Sequence, residues 1–202
     1  MDQSNEVFEF LTKEGNLQAA LEMCDNLNTL KQETHQQFWE ETNLMIAPML
    51  SNQNLTENWG YHNFNIKRIK TDWEKCSIRP KDIIENVPHL SFILGQGTKE
   101  NNYRIYWGLS WSSNPGIFRS PELIQLKSII NSKGATTEEP WRWVNWGYFG
   151  IVPNSEVFIR RMFTDKEAFI GELTDSVWDK FSVIHPLMEQ INNSLIQNSK
   201  NK

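Results

Sequence analysis

Residues 102–111, NYRIYWGLSW, repeat with a period of two. Tyr103, Ile105, Trp107, Leu109 and Trp111 fall on one side of an extended chain, and Arg104, Tyr106, Gly108 and Ser110 fall on the other. No helix gathers those five large side chains on one face, so the chain must build a sheet with a buried side. The segment VPHLSFILG, 87–95, offers a neighbour with Leu90, Phe92 and Leu94 on one face, and the polar GQGTKENN between the two suits a hairpin. WGYHNFNIKRIK, 59–70, and EVFIRRMF, 156–163, read as further strands from their alternation and their β-branched and aromatic content.

Helical spacing governs the rest. Ser4 can cap a first short helix that Gly15 ends, and from Leu17 the apolar positions Leu21, Cys24, Leu27, Leu30, Phe38, Met45 and Met49 mark one stripe of a long helix with Pro48 near its end. Ser120 and Pro121 start another helix, whose apolar side is Leu123, Leu126, Ile129 and Ile130, and Gly134 closes it. Thr164 and Glu167 have the spacing of a capping box for a final helix that buries Phe169, Leu173, Val177, Phe181, Ile184, Met188, Ile191 and Leu195. Pro186 inside it should kink the helix or start a second segment. The expected fold is α+β: a curved, mostly antiparallel sheet of four to five strands, packed by the long C-terminal helix, with N-terminal helices. At 202 residues this reads as one domain, 1–202, with a helical segment at 1–50 and an α+β core at 51–202.

Nine Trp make the core ring-rich. The densest stretch is PWRWVNWGYFG, 140–150. As a strand it puts Trp141 and Trp143 on one side and Trp146 and Tyr148 on the other, unless an extra residue near Asn145 makes a β-bulge; Gly147 fits such an irregularity. The rings either close the core or leave a partner-binding platform of Trp141, Trp143, Trp146 and Tyr148.

The formal net charge of −5 gives no global pull toward nucleic acid or membrane. Its distribution is uneven: residues 1–43 carry nine acids and two bases. IKRIKTDWEKCSIRPK, 66–81, carries six bases against Asp72 and Glu74. Basic side chains around an aromatic can track a phosphate backbone and stack a base. The nucleic-acid-binding candidates are therefore Lys67, Arg68, Lys70, Trp73 and Lys75, extended by Arg160 and Arg161 if their strand lies near. The competing reading is a solvated edge that lysines protect from aggregation. The polar N-terminus, the two cysteines and the lack of a long apolar run place the chain in the cytoplasm, away from membranes.

Catalytic patterns are sparse. His35, His62, His89 and His185 have no metal-ligand spacing, no cofactor motif is present, and Glu122, Gln125 and Lys127 are the nearest fragment to a nuclease set. HQQFWEETNLMIAPML, HLSFILG, YRIYWGLSW and WVNWGYF, followed by FTDKEAFIGELTDSVWDKFSVIHPLMEQIN, together resemble a late accessory region of uncharacterised, phage- or defence-associated proteins of the PD-(D/E)XK nuclease superfamily. The resemblance spans roughly residues 36–193. The 35 residues before it hold no nuclease core, so no catalytic residue carries over. It implies a partner-binding or nucleic-acid-associated role rather than cleavage; with the many Trp and the asymmetric charge, the first reading is a non-enzymatic binding protein that docks a protein partner in a phage-defence or counter-defence setting. The alternatives are a nucleic-acid-binding accessory module using 66–81 and a divergent metal-dependent nuclease. Self-association through an open sheet edge is compatible with all three.

Overall fold

The alternating segment lies at the centre of the sheet. A computed structural model describes residues 6, 9–13, 15–62, 75–97, 103–116, 118–139, 143–153 and 155–200. In it β4 (Ile105–Trp111) pairs with β3 (Leu90–Gln96) on one side and β6 (Trp143–Tyr148) on the other. β2 (Lys75–Pro80) and β1 (Trp59–His62) extend the sheet to one edge, and the three-residue β5 (Thr137–Glu139) ends the other. Every pairing is antiparallel. The expected α+β architecture is therefore present, with short β5 as a sixth strand.

Helices cover one face of this sheet. α4 (Lys166–Lys200) buries Phe169, Leu173, Val177, Phe181, Ile184, Met188 and Ile191, the stripe read from the sequence, and continues as one helix through Pro186. These side chains share one apolar cluster with Leu90, Phe92 and Leu94 of β3 and Ile105, Trp107, Leu109 and Trp111 of β4. Phe181 sets its ring edge-to-face on Trp59 and Phe92, a geometry aromatic quadrupoles favour. The second half of α1 (Asn16–Asn52) adds Phe38, Trp39, Ile46 and Leu50. α2 (Pro121–Ser132) adds Leu126 and Ile130, and starts as expected, with the Ser120 hydroxyl accepting from the Leu123 N–H. Among the described residues no helix is long and apolar enough to cross a membrane.

Three local expectations change. EVFIRRMF is not a strand: it lies in helix α3 (Glu156–Thr164), which the Ser155 hydroxyl caps by accepting from Phe158 N–H. Phe158 and Met162, four apart, point to the core, and a short apolar run cannot separate that spacing from alternation. Thr164 does not cap the last helix; it ends α3, and its hydroxyl donates to the carbonyl of Arg160. β2 is a strand within the basic segment, where only Cys76 and Ile78 face inward.

One polar contact fastens α4 to the sheet. Leu90 N–H donates to Asn192 Oδ1 at 2.7 Å, and Asn192 Nδ2 donates to Leu90 C=O at 3.2 Å, both buried. Extending the β2–β3 register sets Pro80 opposite Leu90, and proline has no N–H for the ladder. The Asn192 amide thus replaces the missing strand pair. Replacing it by leucine leaves two buried backbone groups unpaired, each costing roughly 1–3 kcal/mol. We expect Asn192→Leu to lower the thermal midpoint by about 4 °C or more, measured by circular dichroism, while Asn193→Leu, an exposed neighbour, leaves it nearly unchanged.

Candidate functional site

The tryptophan-rich stretch resolves through a bulge. Leu109 pairs with Asn145 but Ser110 pairs with Trp143, so Val144 is the extra residue. Its side chain joins the helix-side core. The shift brings Trp143, Trp146 and Tyr148 onto the same face, opposite the helices, where they pack with Ile93 and Tyr106. The contacts are edge-to-face: Tyr106 to Trp143 at 5.8 Å, Tyr106 to Trp146 at 6.1 Å and Trp146 to Tyr148 at 5.3 Å between centroids. Arg104 lies over the Tyr148 ring at 4.9 Å. Two glycines allow this packing. A Cβ at Gly108 would stand 2.6 Å from Trp146 Cβ, and one at Gly147 would stand 2.2 Å from the Gly134 carbonyl. Trp143 is only 8% exposed, while Trp146 and Tyr148 are half-buried. Trp141 lies outside the described residues.

The basic candidates do not form one surface. Lys67, Arg68, Lys70 and Trp73 lie outside the described residues, and Lys75 begins β2 opposite Gly95. Arg160 and Arg161 belong to α3, in the helical layer, rather than to a strand beside β2. Arg161 is also engaged: it donates to Glu172 at 2.8 and 2.9 Å and to Asp165 at 3.1 Å. Those partners hold its guanidinium charged, and Arg161 in turn lowers the Glu172 pKa. The end of the basic segment is described. Arg79, on the sheet face opposite Ile78, donates from Nη2 to His62 Nδ1 at 2.9 Å, a pair that the sequence spacing of 17 residues did not signal.

Carboxylate chemistry finds no centre. Among the described residues, no group of three or more His, Cys, Asp or Glu is placed to hold a metal. Glu122 is a half-buried residue of the first turn of α2, and hydrogen bonds from its own backbone N–H and from Ser120 lower its pKa. Burial pushes the Cys76 thiol up to about 12, so it is no nucleophile at neutral pH.

The least expected feature is α1. Its first half, 16–33, has no buried residue among those described, although it carries the start of the predicted stripe. Leu17, Leu21 and Leu27 are 55%, 58% and 45% exposed, and Cys24 between them is exposed too. At 1.5 Å per residue this arm is about 27 Å long. The packed half starts at Thr34 and Phe38. His35 sits at the junction with its ring edge-on to Phe158 and Tyr103. The stripe was legible in the sequence; that half of it would have no cover was not, because periodicity reports which side is apolar and not what lies against it.

Comparison with known proteins adds no relative: no family model, curated protein or solved structure matches the chain.

The junction gives a pH prediction. Desolvation lowers the His35 pKa from 6.5 to about 4, and its Nε2 is buried without a partner. The unfolded chain therefore takes up this proton first, so the contribution is intact above pH 6.5 and is lost as pH falls from there toward 4. Burial also lowers the His89 and His185 pKa values, which act in the same direction. We expect the urea midpoint to fall between pH 7.5 and pH 5, and to fall less in His35→Phe.

Proposed function

We propose that this chain is a non-enzymatic binding protein whose docking element is the arm of α1. The observation that carries the reading is the exposed stripe Leu17, Leu21, Cys24 and Leu27, on a helix whose continuation is anchored in the core. A free helix of this length is marginal in water because nucleation is costly. Here the packed half supplies the nucleus, and the arm presents its apolar side ready formed. Such a side fits another amphipathic helix, read as anchors three and four residues apart.

Charge selects the occupant. The arm, 16–33, carries Glu22, Asp25 and Glu33 against Lys31 alone, so two copies of it would set a net negative charge against itself, whereas a partner helix with lysine and arginine flanks would find complementary charges. The aromatic cluster contributes less to such docking, since Trp143 is buried and its rings meet edge to face.

The test is a titration of the full chain with two designed amphipathic helices, matched in apolar residues, one with basic and one with acidic flanks. We expect the basic helix to bind and the acidic one to fail. Leu21→Glu with Leu27→Glu should weaken binding by roughly 100-fold or more, given about 1.5–3 kcal/mol per buried leucine, with the thermal midpoint unchanged. Equal binding of both helices, or a dimer by sedimentation that Leu21→Glu dissolves, would overturn the reading.

A further inference from the structure

A cleft of about 520 Å³ lies where the end of α1 meets the β1–β2 edge of the sheet. Its charged and imidazole side chains are His62 from β1, Arg79 from β2 and Lys81 just beyond it, and Thr56 and Tyr61 add hydroxyls. Ala47, Pro80 and Ile83 supply apolar wall, and no aspartate or glutamate lines it. The volume is that of an ordinary small-molecule site.

The cationic groups converge. The point above Gly60 where a Cβ would stand is 3.4 Å from His62 Nε2 and 3.5 Å from Lys81 Cγ. Arg79 spends one nitrogen on His62 Nδ1. Since a guanidinium only donates, Nδ1 accepts, and a neutral His62 carries its proton on Nε2, free to donate. Burial and the Arg79 charge both lower the His62 pKa.

Arg79 is also undercompensated. Its side chain is half-buried and its Nε is buried with no hydrogen-bond partner. Among the described residues neither Arg79 nor Lys81 has a carboxylate within ion-pair distance. The contrast with Arg161, which has two acidic partners, is internal to the molecule. A partly buried guanidinium with an orphaned donor normally has an anion against it.

We propose that this cleft binds a phosphate monoester carried on a flat or apolar body. Two fixed positive charges and one imidazole N–H suit a dianion, and arginine's planar fork suits phosphate oxygens. The apolar wall beside them receives the body. A free nucleotide and the 5′-phosphorylated end of a strand share this chemistry. The site stands apart from the α1 arm and does not depend on the docking reading.

The experiment is calorimetric titration of the full chain with adenosine 5′-monophosphate, with adenosine, and with a short single strand bearing either a 5′-phosphate or a 5′-hydroxyl. Adenosine 5′-monophosphate should bind saturably while adenosine does not, and inorganic phosphate should compete with it. Lys81→Gln, at an exposed site with no ion pair among the described residues, should weaken binding several-fold and Arg79→Gln at least tenfold. Gly60→Ala, whose Cβ would stand at ordinary contact distance from His62 and Lys81, should weaken it without removing a charge. Tighter binding of the phosphorylated strand than of the mononucleotide assigns the site to strand ends; the reverse assigns it to free nucleotides. The proposal is overturned if adenosine binds as well as its monophosphate, or if Lys81→Gln and Gly60→Ala, both with unchanged thermal midpoints, bind like the parent.

Discussion

One helix face sets the position of everything else. The side of α4 from Phe169 to Ile191 is the surface on which the sheet, α1, α2 and α3 all close. The sheet can meet it because β3 and β4 each present an unbroken row of large apolar side chains at period two, and the rows are in register, Phe92 beside Leu109 and Leu94 beside Trp107. Rings then interlock across the layers rather than stacking flat, as Phe181 does between Trp59 and Phe92. Edge-to-face contacts of this kind restrict the layers' relative rotation as well as holding them together. Asn192 adds direction. Its amide reads both backbone groups of Leu90, so α4 cannot slide along the sheet without breaking two buried hydrogen bonds.

What the sequence revealed follows from how strongly each pattern was written. The stripe of α4 and the alternation of β3 and β4 survive because every position agrees with one period. α3 was misread because eight residues with apolar side chains at mixed spacing satisfy both periods, and the deciding signal was the Ser155 hydroxyl just before them. β2 was hidden by its charge: Lys75 and Arg79 dominate KCSIRP, and only Cys76 and Ile78 carry the inward parity. The bulge was legible as a choice between two outcomes, since strict alternation across Val144 and Asn145 separates rings that pack together once a residue is inserted.

The candidate sites were less legible than the fold for a physical reason. A core residue announces itself by period, which is local. The cleft brings together His62, Arg79 and Lys81 through strand pairing, Gly60 opposite Arg79 and His62 opposite Ser77, and pairing partners are not written in either strand alone. The basic segment was noticed by its composition, yet the described part that matters in the fold is its end, where a guanidinium is drawn partly out of water with no acid against it among the described residues.

α1 has a mechanical property that follows from its continuity. It is one helix of 37 residues, anchored through its second half, with its exposed half starting at Asn16 and its far end forming a wall of the cleft at Ala47 and Leu50. Leu21 and Leu50 are about 40 Å apart at 1.5 Å per residue, joined by one helix whose backbone ladder lacks a donor at Pro48. Two ligands held at opposite ends of such a beam share a single rigid body. Any tilt that one of them imposes is felt by the other, and the resulting coupling must act equally in both directions.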